Sequence, residues 1–183
     1  MAFYQSLMLF REVIFYFDFQ IQELVMTSAD VLQLKEQLVS GTQEILKRPV
    51  TRDEKLFAIC ELLADEVPTF NWVGFYMADP EGKEELVLGP FVGASTDHTR
   101  IPFGKGICGQ VALSHETFIA QDVHAEDNYL ACSIDVQSEI VVPIMKGDVF
   151  VAQLDIDSHT RNSITEEQRS ALEEICVLLA DEF

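Results

Sequence analysis

The chain predicts an α+β domain: one antiparallel sheet, with helices from both ends of the sequence packed on one of its faces. Two observations carry this. Apolar residues recur at helical spacing near both ends, while aromatic and β-branched runs in the middle pair as hairpins around short turns. The length of 183 residues, 48% hydrophobic and 23% charged, suits a single globular domain with a substantial core.

Taken in order, Val31 to Leu46 places Val31, Leu34, Leu38, Ile45 and Leu46 on a helical face, and Pro49 ends it. Asp53 to Val67 is a second, strongly apolar helix, stopped by Pro68. Phe70 to Met77 reads as a strand, Asp79-Pro-Glu-Gly-Lys83 as a turn, and Glu85 to Phe91 as the partner strand. After an irregular stretch come a short helix at 107–114, a strand at Thr117 to Ala120 and a polar loop at 121–137. Ile140 to Met145 and Val149 to Ile156 form a hairpin around Lys146-Gly147-Asp148. Thr165 to Phe183 closes the chain as an amphipathic helix, with Thr165 and Gln168 spaced as a capping box.

The segment before Met26 is apolar and aromatic, but Arg11, Glu12, Asp18 and Glu23 interrupt it, and it lacks a basic leader or cleavage site. Two expectations stand for residues 1–25. They are an extension ahead of a true start at Met26, where Ser28 is placed to cap the next helix, or an added amphipathic helix that packs on the body or a partner. Residues 26–183 are expected to form the single domain.

A formal net charge of −19 excludes nucleic acid as the natural partner and disfavours anionic membrane surfaces. No apolar run reaches the roughly 18 residues of a membrane helix. Small cations and amines remain suitable ligands. Four cysteines, at 60, 108, 132 and 176, match neither a zinc pattern nor a disulfide scaffold. A cytoplasmic location is the default, and there a cysteine pair is more often catalytic or redox-sensing than structural. The four histidines show no ligand spacing, and no metal or cofactor is expected.

Cys108 stands among Gly104, Gly106 and Gly109, directly ahead of the short helix, where unpaired backbone N–H groups favour a thiolate. A small buried thiol covering a glycine turn is the competing reading. Cys132 lies in the polar loop, where a packing thiol is less natural, whereas Cys60 and Cys176 fall on apolar helix faces and read as core. Asp155 and Asp157 flank Ile156, so period two sends both carboxylates to one face of a strand, with Glu139 on its neighbour. Two carboxylates on one face repel unless a cation, proton or donor lies between them. The apolar residues around them mark a central strand, so these acids should face a cavity. Trp72 and Tyr76, four apart on a strand, share a face as aromatic core or pocket wall.

Six ordered stretches resemble one family: Asn71-Trp-Val-Gly-Phe-Tyr76, Leu86-Val-Leu-Gly-Pro-Phe91, Arg100-Ile-Pro-Phe-Gly-Lys-Gly-Ile-Cys-Gly109, Gln121-Asp-Val-His124, Ser138-Glu-Ile-Val-Val-Pro143 and Leu154-Asp-Ile-Asp157. Together they resemble the single-GAF-domain free methionine-(R)-sulfoxide reductases over residues 30–183; residues 1–25 lie outside. The resemblance implies a GAF fold with a six-stranded antiparallel sheet. It also implies reduction of the R epimer of free methionine sulfoxide, recycling by a thioredoxin-type reductant, and a homodimer. By position, Cys132 matches the cysteine that attacks the sulfoxide sulfur and Cys108 the one that forms a disulfide with it. The order of attack is left open. Glu139, Asp155 and Asp157 match acids that hold the substrate ammonium and assist protonation, and Trp72 and Tyr76 match aromatics lining the pocket. The chain departs from the pattern at His98, where well-studied members carry a third cysteine, and in the loop Asp127 to Ser133. The alternative is a non-catalytic GAF module that binds a small amine-bearing ligand or senses redox state. A cyclic-nucleotide site is disfavoured, because an acidic pocket repels phosphate.

Overall fold

The structure is a computed structural model that describes residues 28–130 and 135–183. The expectations for residues 1–25, and Cys132, lie outside the described residues. Leu34–Phe183 form one compact unit.

Among the described residues, four α-helices and six strands succeed one another in chain order. They are α1 (Ser28–Leu46), α2 (Arg52–Glu66), β1 (Trp72–Ala78), β2 (Glu85–Val92), β3 (Arg100–Pro102), α3 (Gly106–Ser114), β4 (Phe118–Ala120), β5 (Ser138–Lys146), β6 (Val149–Ser158) and α4 (Glu166–Leu179). Sequence punctuation sets several of the ends. At α4 the capping box forms: Gln168 N donates to Thr165 Oγ1 at 3.2 Å, and Thr165 N to Gln168 Oε1 at 2.9 Å. Thr51 and Glu54 build the same device at the start of α2, one residue ahead of the helix expected from Asp53.

The sheet is antiparallel throughout, with order β3-β2-β1-β6-β5-β4. The β1–β2 and β5–β6 hairpins meet edge to edge, so β1 and β6 become the central strands. Strand β3 falls within the stretch expected to be irregular, because three residues carry no readable alternation; it pairs Leu86 with Ile101.

Alternation divides each strand between two faces. Val73, Phe75, Ile140, Val142, Leu154 and Ile156 pack under α1, α2 and α4 against Leu38, Leu56, Ile59, Leu63, Leu172 and Ile175. Each such side chain contributes about 1.5–3 kcal/mol by leaving water. Cys60 and Cys176 belong to this layer, as expected. The opposite face is not left open. Helix α3 and the connecting loops cover it with a second apolar cluster of Tyr76, Leu86, Ile101, Ile107, Val111 and Val141. Beneath that cover lie the buried acids of β5 and β6. Among the described residues no helix is long and apolar enough to cross a membrane.

Candidate functional site

Strand β6 turns Ala152, Leu154 and Ile156 to the three-helix layer and Gln153, Asp155 and Asp157 to the α3 side. Its neighbours complete two rows. Asp157 lies between Trp72 on β1 and Glu139 on β5, and Asp155 between Gly74 and Val141. The three acids are 4%, 1% and 2% exposed for Glu139, Asp155 and Asp157, so each is nearly dry. Helix α3 crosses this face and aims Cys108 at them. Its Sγ donates to Asp155 Oδ2 at 3.2 Å, joining residues 47 positions apart.

Buried carboxylates without cations cannot all stay ionised. Desolvation, then the charges of Asp155, Asp157 and Glu126, pushes the Glu139 carboxyl well above the usual range. Asp157 rises for the same first reason and because Asp155 is close. Asp155 is pushed up to about 7, burial outweighing the thiol and the Ile156 backbone hydrogen bond that favour its charge. The Oδ1 atoms of Asp155 and Asp157 are shielded from solvent and have no hydrogen-bond partner among the described residues. Such a cluster can hold protons at neutral pH and release one beside a sulfur atom.

The two aromatics form the wall next to the acids. Trp72 and Tyr76 have ring centroids 6.3 Å apart, and Trp72 also stacks on Phe91 at 5.4 Å. Their polar ends fix the β2–β3 connection: Trp72 Nε1 donates to the Ala94 carbonyl at 3.0 Å and Tyr76 Oη to the His98 carbonyl at 2.9 Å. His98 is therefore held at the edge of the same face by Tyr76. Gly74 is required here, because a Cβ would fall 2.3 Å from the Trp72 ring.

The loop before Cys132 folds over the start of α3. Asn128 Nδ2 donates to the Gly104 carbonyl at 2.9 Å, and Leu130 Cβ lies 2.8 Å from where a Cβ on Gly106 would stand. Gly104 and Gly106 take φ of +81° and +66°, the left-handed region that favours glycine, so the backbone can make this turn.

Beside the acids a cavity of about 130 Å³ is lined by Asn71, Trp72, Thr96, Val136, Asp157 and His159, among others. It is smaller than the ~300–1,000 Å³ typical of drug-sized ligand sites, so it suits a small ligand.

Six of the seven residues singled out from the sequence (Cys108, Glu139, Asp155, Asp157, Trp72 and Tyr76) fall on this one face. Cys132, the seventh, lies outside the described residues. Gln153 was missed. It is fully buried two residues before Asp155, with both amide atoms unpartnered among the described residues, and the same period-two argument would have found it. Asn71 and His159 were missed too. They line the cavity, and Asn71 Oδ1 accepts from the His159 backbone N–H at 2.7 Å, a contact with no sequence signature.

The model of one family, described as GAF domain, matches residues 51–181. The chain belongs to the GAF domain family. Among its relatives, "Protein YtsP" of Bacillus subtilis (strain 168) is 43% identical over 57% of this chain and 63% of its own length. "Free methionine-R-sulfoxide reductase" of Escherichia coli (strain K12) is 35% identical over 64% of this chain and 69% of its own. The chain thus spans about two thirds of the length of the curated relatives it matches. Among solved structures, the free methionine-R-sulfoxide reductase from Neisseria meningitidis in complex with its substrate superposes with a TM-score of 0.77 at 32% identity. That match covers 86% of this chain and 92% of the other. The six-stranded antiparallel GAF sheet with its helices is the fold expected from the sequence.

Proposed function

We propose that this GAF domain reduces free methionine-(R)-sulfoxide to methionine by thiol chemistry. The observation that carries the reading is the 3.2 Å contact between Cys108 Sγ and Asp155 Oδ2 inside a buried triad of acids. Relatives and solved structures named for this activity support it.

A sulfoxide oxygen leaves sulfur only once protonated, so a carboxyl that keeps its proton near neutral pH must stand beside the attacking thiolate. Asp155, pushed up to about 7, and Glu139, raised well above the usual range by burial and by the neighbouring acids, meet that need. One thiolate attacks the sulfoxide sulfur. Oxygen passes to the thiol sulfur as a sulfenic acid, methionine departs, and the second thiol displaces water to give a disulfide. Two thiols and one sulfoxide thereby give one disulfide, one thioether and one water. A dithiol of the thioredoxin type reopens the disulfide.

Cys132 is the proposed partner of Cys108. It follows Leu130 by two residues, a reach of at most about 7 Å, and Leu130 packs beside Gly106. The ammonium of the substrate would sit against Asp157 and Asp155, and its methyl-bearing end against Trp72 and Tyr76. A homodimer, a cytoplasmic location and residues 26–183 as the domain complete the proposal.

A second reading keeps the pocket without turnover: a small-ligand-binding or redox-sensing module. It is favoured by His98, which stands beside Tyr76 where well-studied reductases carry a cysteine. Incubating the protein with racemic methionine sulfoxide and dithiothreitol, followed by chiral chromatography, separates the two. Consumption of the R epimer alone supports the reductase, and recovery of both epimers sinks it.

A further inference from the structure

We infer that Cys108, Glu139 and Asp155 also form a binding site for a thiophilic divalent cation, for which zinc is the physiological-type probe. One ligand atom from each lies within 4.8 Å of the other two, all three residues are buried, and they come from α3, β5 and β6. Convergence from three elements explains why no metal-ligand spacing is visible in the sequence.

The geometry is close to what zinc requires. With Zn–S near 2.3 Å and Zn–O near 2.0 Å, a tetrahedral site has S···O edges of about 3.5 Å. The Cys108 Sγ–Asp155 Oδ2 edge is already 3.2 Å, and a Glu139 oxygen lies within 4.8 Å of a ligand atom on each of the other two. A second observation points to a ligand here. Asp155 Oδ1 and Asp157 Oδ1, on residues 1% and 2% exposed, are shielded from water and lack any partner among the described residues. Asp157 neighbours the cluster through its register pairing with Glu139, so it can supply a fourth ligand or balance charge.

On binding, the thiol and any protonated carboxyl release protons to solvent, and the dication takes the place those protons held. A thiolate with oxygen donors selects a borderline-soft ion of the zinc class over magnesium or calcium. A cation held there masks the Cys108 sulfur as an attacking or resolving thiol, so the site would withdraw the domain from redox chemistry while it is loaded.

The test uses the reduced full chain under anaerobic conditions with no methionine sulfoxide present, so failure of the reductase reading leaves its outcome untouched. Titration with Co²⁺ is expected to load one ion per chain with a near-ultraviolet sulfur-to-cobalt charge-transfer band, and Zn²⁺ to displace it. Cys108→Ser should abolish the band, and the isosteric Asp155→Asn should weaken zinc binding by at least the roughly 10–100-fold that even outer-shell partners cost. Cys132→Ser should retain the band. In the unaltered protein, peptide mapping should show Cys108 alkylated at least tenfold more slowly with zinc than after chelation. The inference is overturned by an absence of Co²⁺ binding, by a band that survives Cys108→Ser or vanishes in Cys132→Ser, or by unchanged Cys108 alkylation.

Discussion

Glu139 stands directly opposite Asp157 across the β5–β6 ladder, so two buried carboxyls share one row of the α3-side face. None of the ion pairs formed among the described residues includes either of them or Asp155. Like groups at this spacing persist only if protons hold their charge down, which costs stability wherever solvent would rather take those protons away. The cluster is thus kept at the expense of the fold, the cost expected if it forms the proposed site.

That cost has a sign and a window. Asp155 carries a folded-state value of about 7 against an ordinary 3.8, so between those limits the folded state binds more protons than the unfolded one. The Asp155 contribution to stability therefore falls as pH rises through this window and is constant above it, and Glu139 and Asp157, also raised, act in the same direction. Urea unfolding at a series of pH values from 4 to 8 should show the unaltered protein losing up to about 4 kcal/mol more than Asp155→Asn, at 1.36 kcal/mol per unit. Parallel curves for the two proteins would refute the assignment.

The four cysteines should separate into two chemical classes. Cys60 and Cys176 lie in the three-helix layer, where desolvation pushes both thiols far above the usual range. Thiolate is the reactive form, so iodoacetamide at pH 8 should leave these two unmodified in the native protein and label them only after denaturation. Oxidation by methionine sulfoxide should likewise consume two thiols, at Cys108 and Cys132. Mass mapping of Cys60 or Cys176 in the oxidised pair would contradict the proposed chemistry.

Local signals made most of this legible in the sequence. Proline stops, the Thr165–Gln168 box and period-two alternation mark their own elements, and the shared face of Asp155 and Asp157 follows from alternation alone. Strand β3 escaped because a three-residue strand has no period to read. The contact of Cys108 with Asp155 escaped because it depends on how α3 lies across the sheet, a tertiary fact set by Ile107, Val111 and Ala112 packing on that face. Gln153 escaped although its signal was present, since it precedes Asp155 by two on the same strand.

Helix α4 offers a test of a purely structural device. Thr165→Ala removes the side-chain acceptor for Gln168 N and breaks half of the capping box. The loss should be about 1 kcal/mol in denaturant unfolding, with the KM for methionine sulfoxide unchanged, because α4 lies on the face of the sheet away from the acids. A change in KM would mean that the two faces are coupled.

Gly74→Ala should do the reverse, costing stability through the site itself. The new Cβ would meet Trp72 Cη2 at 2.3 Å, Cζ3 at 2.7 Å and Phe91 Cβ at 2.8 Å. The indole is already held by Phe91 and by its bond to the Ala94 carbonyl, so it can yield only toward the cavity it lines. Overpacking of this kind costs about 1–3 kcal/mol, comparable to Thr165→Ala, which makes the two variants a matched pair. Trp72 is the single tryptophan of the chain, so its fluorescence reports this side chain alone. Emission should shift to the red in Gly74→Ala and stay put in Thr165→Ala, and KM should rise about tenfold, equivalent to roughly 1.4 kcal/mol, in the first variant only. Equal KM values in the two variants would remove Trp72 from the substrate's wall and leave it as packing.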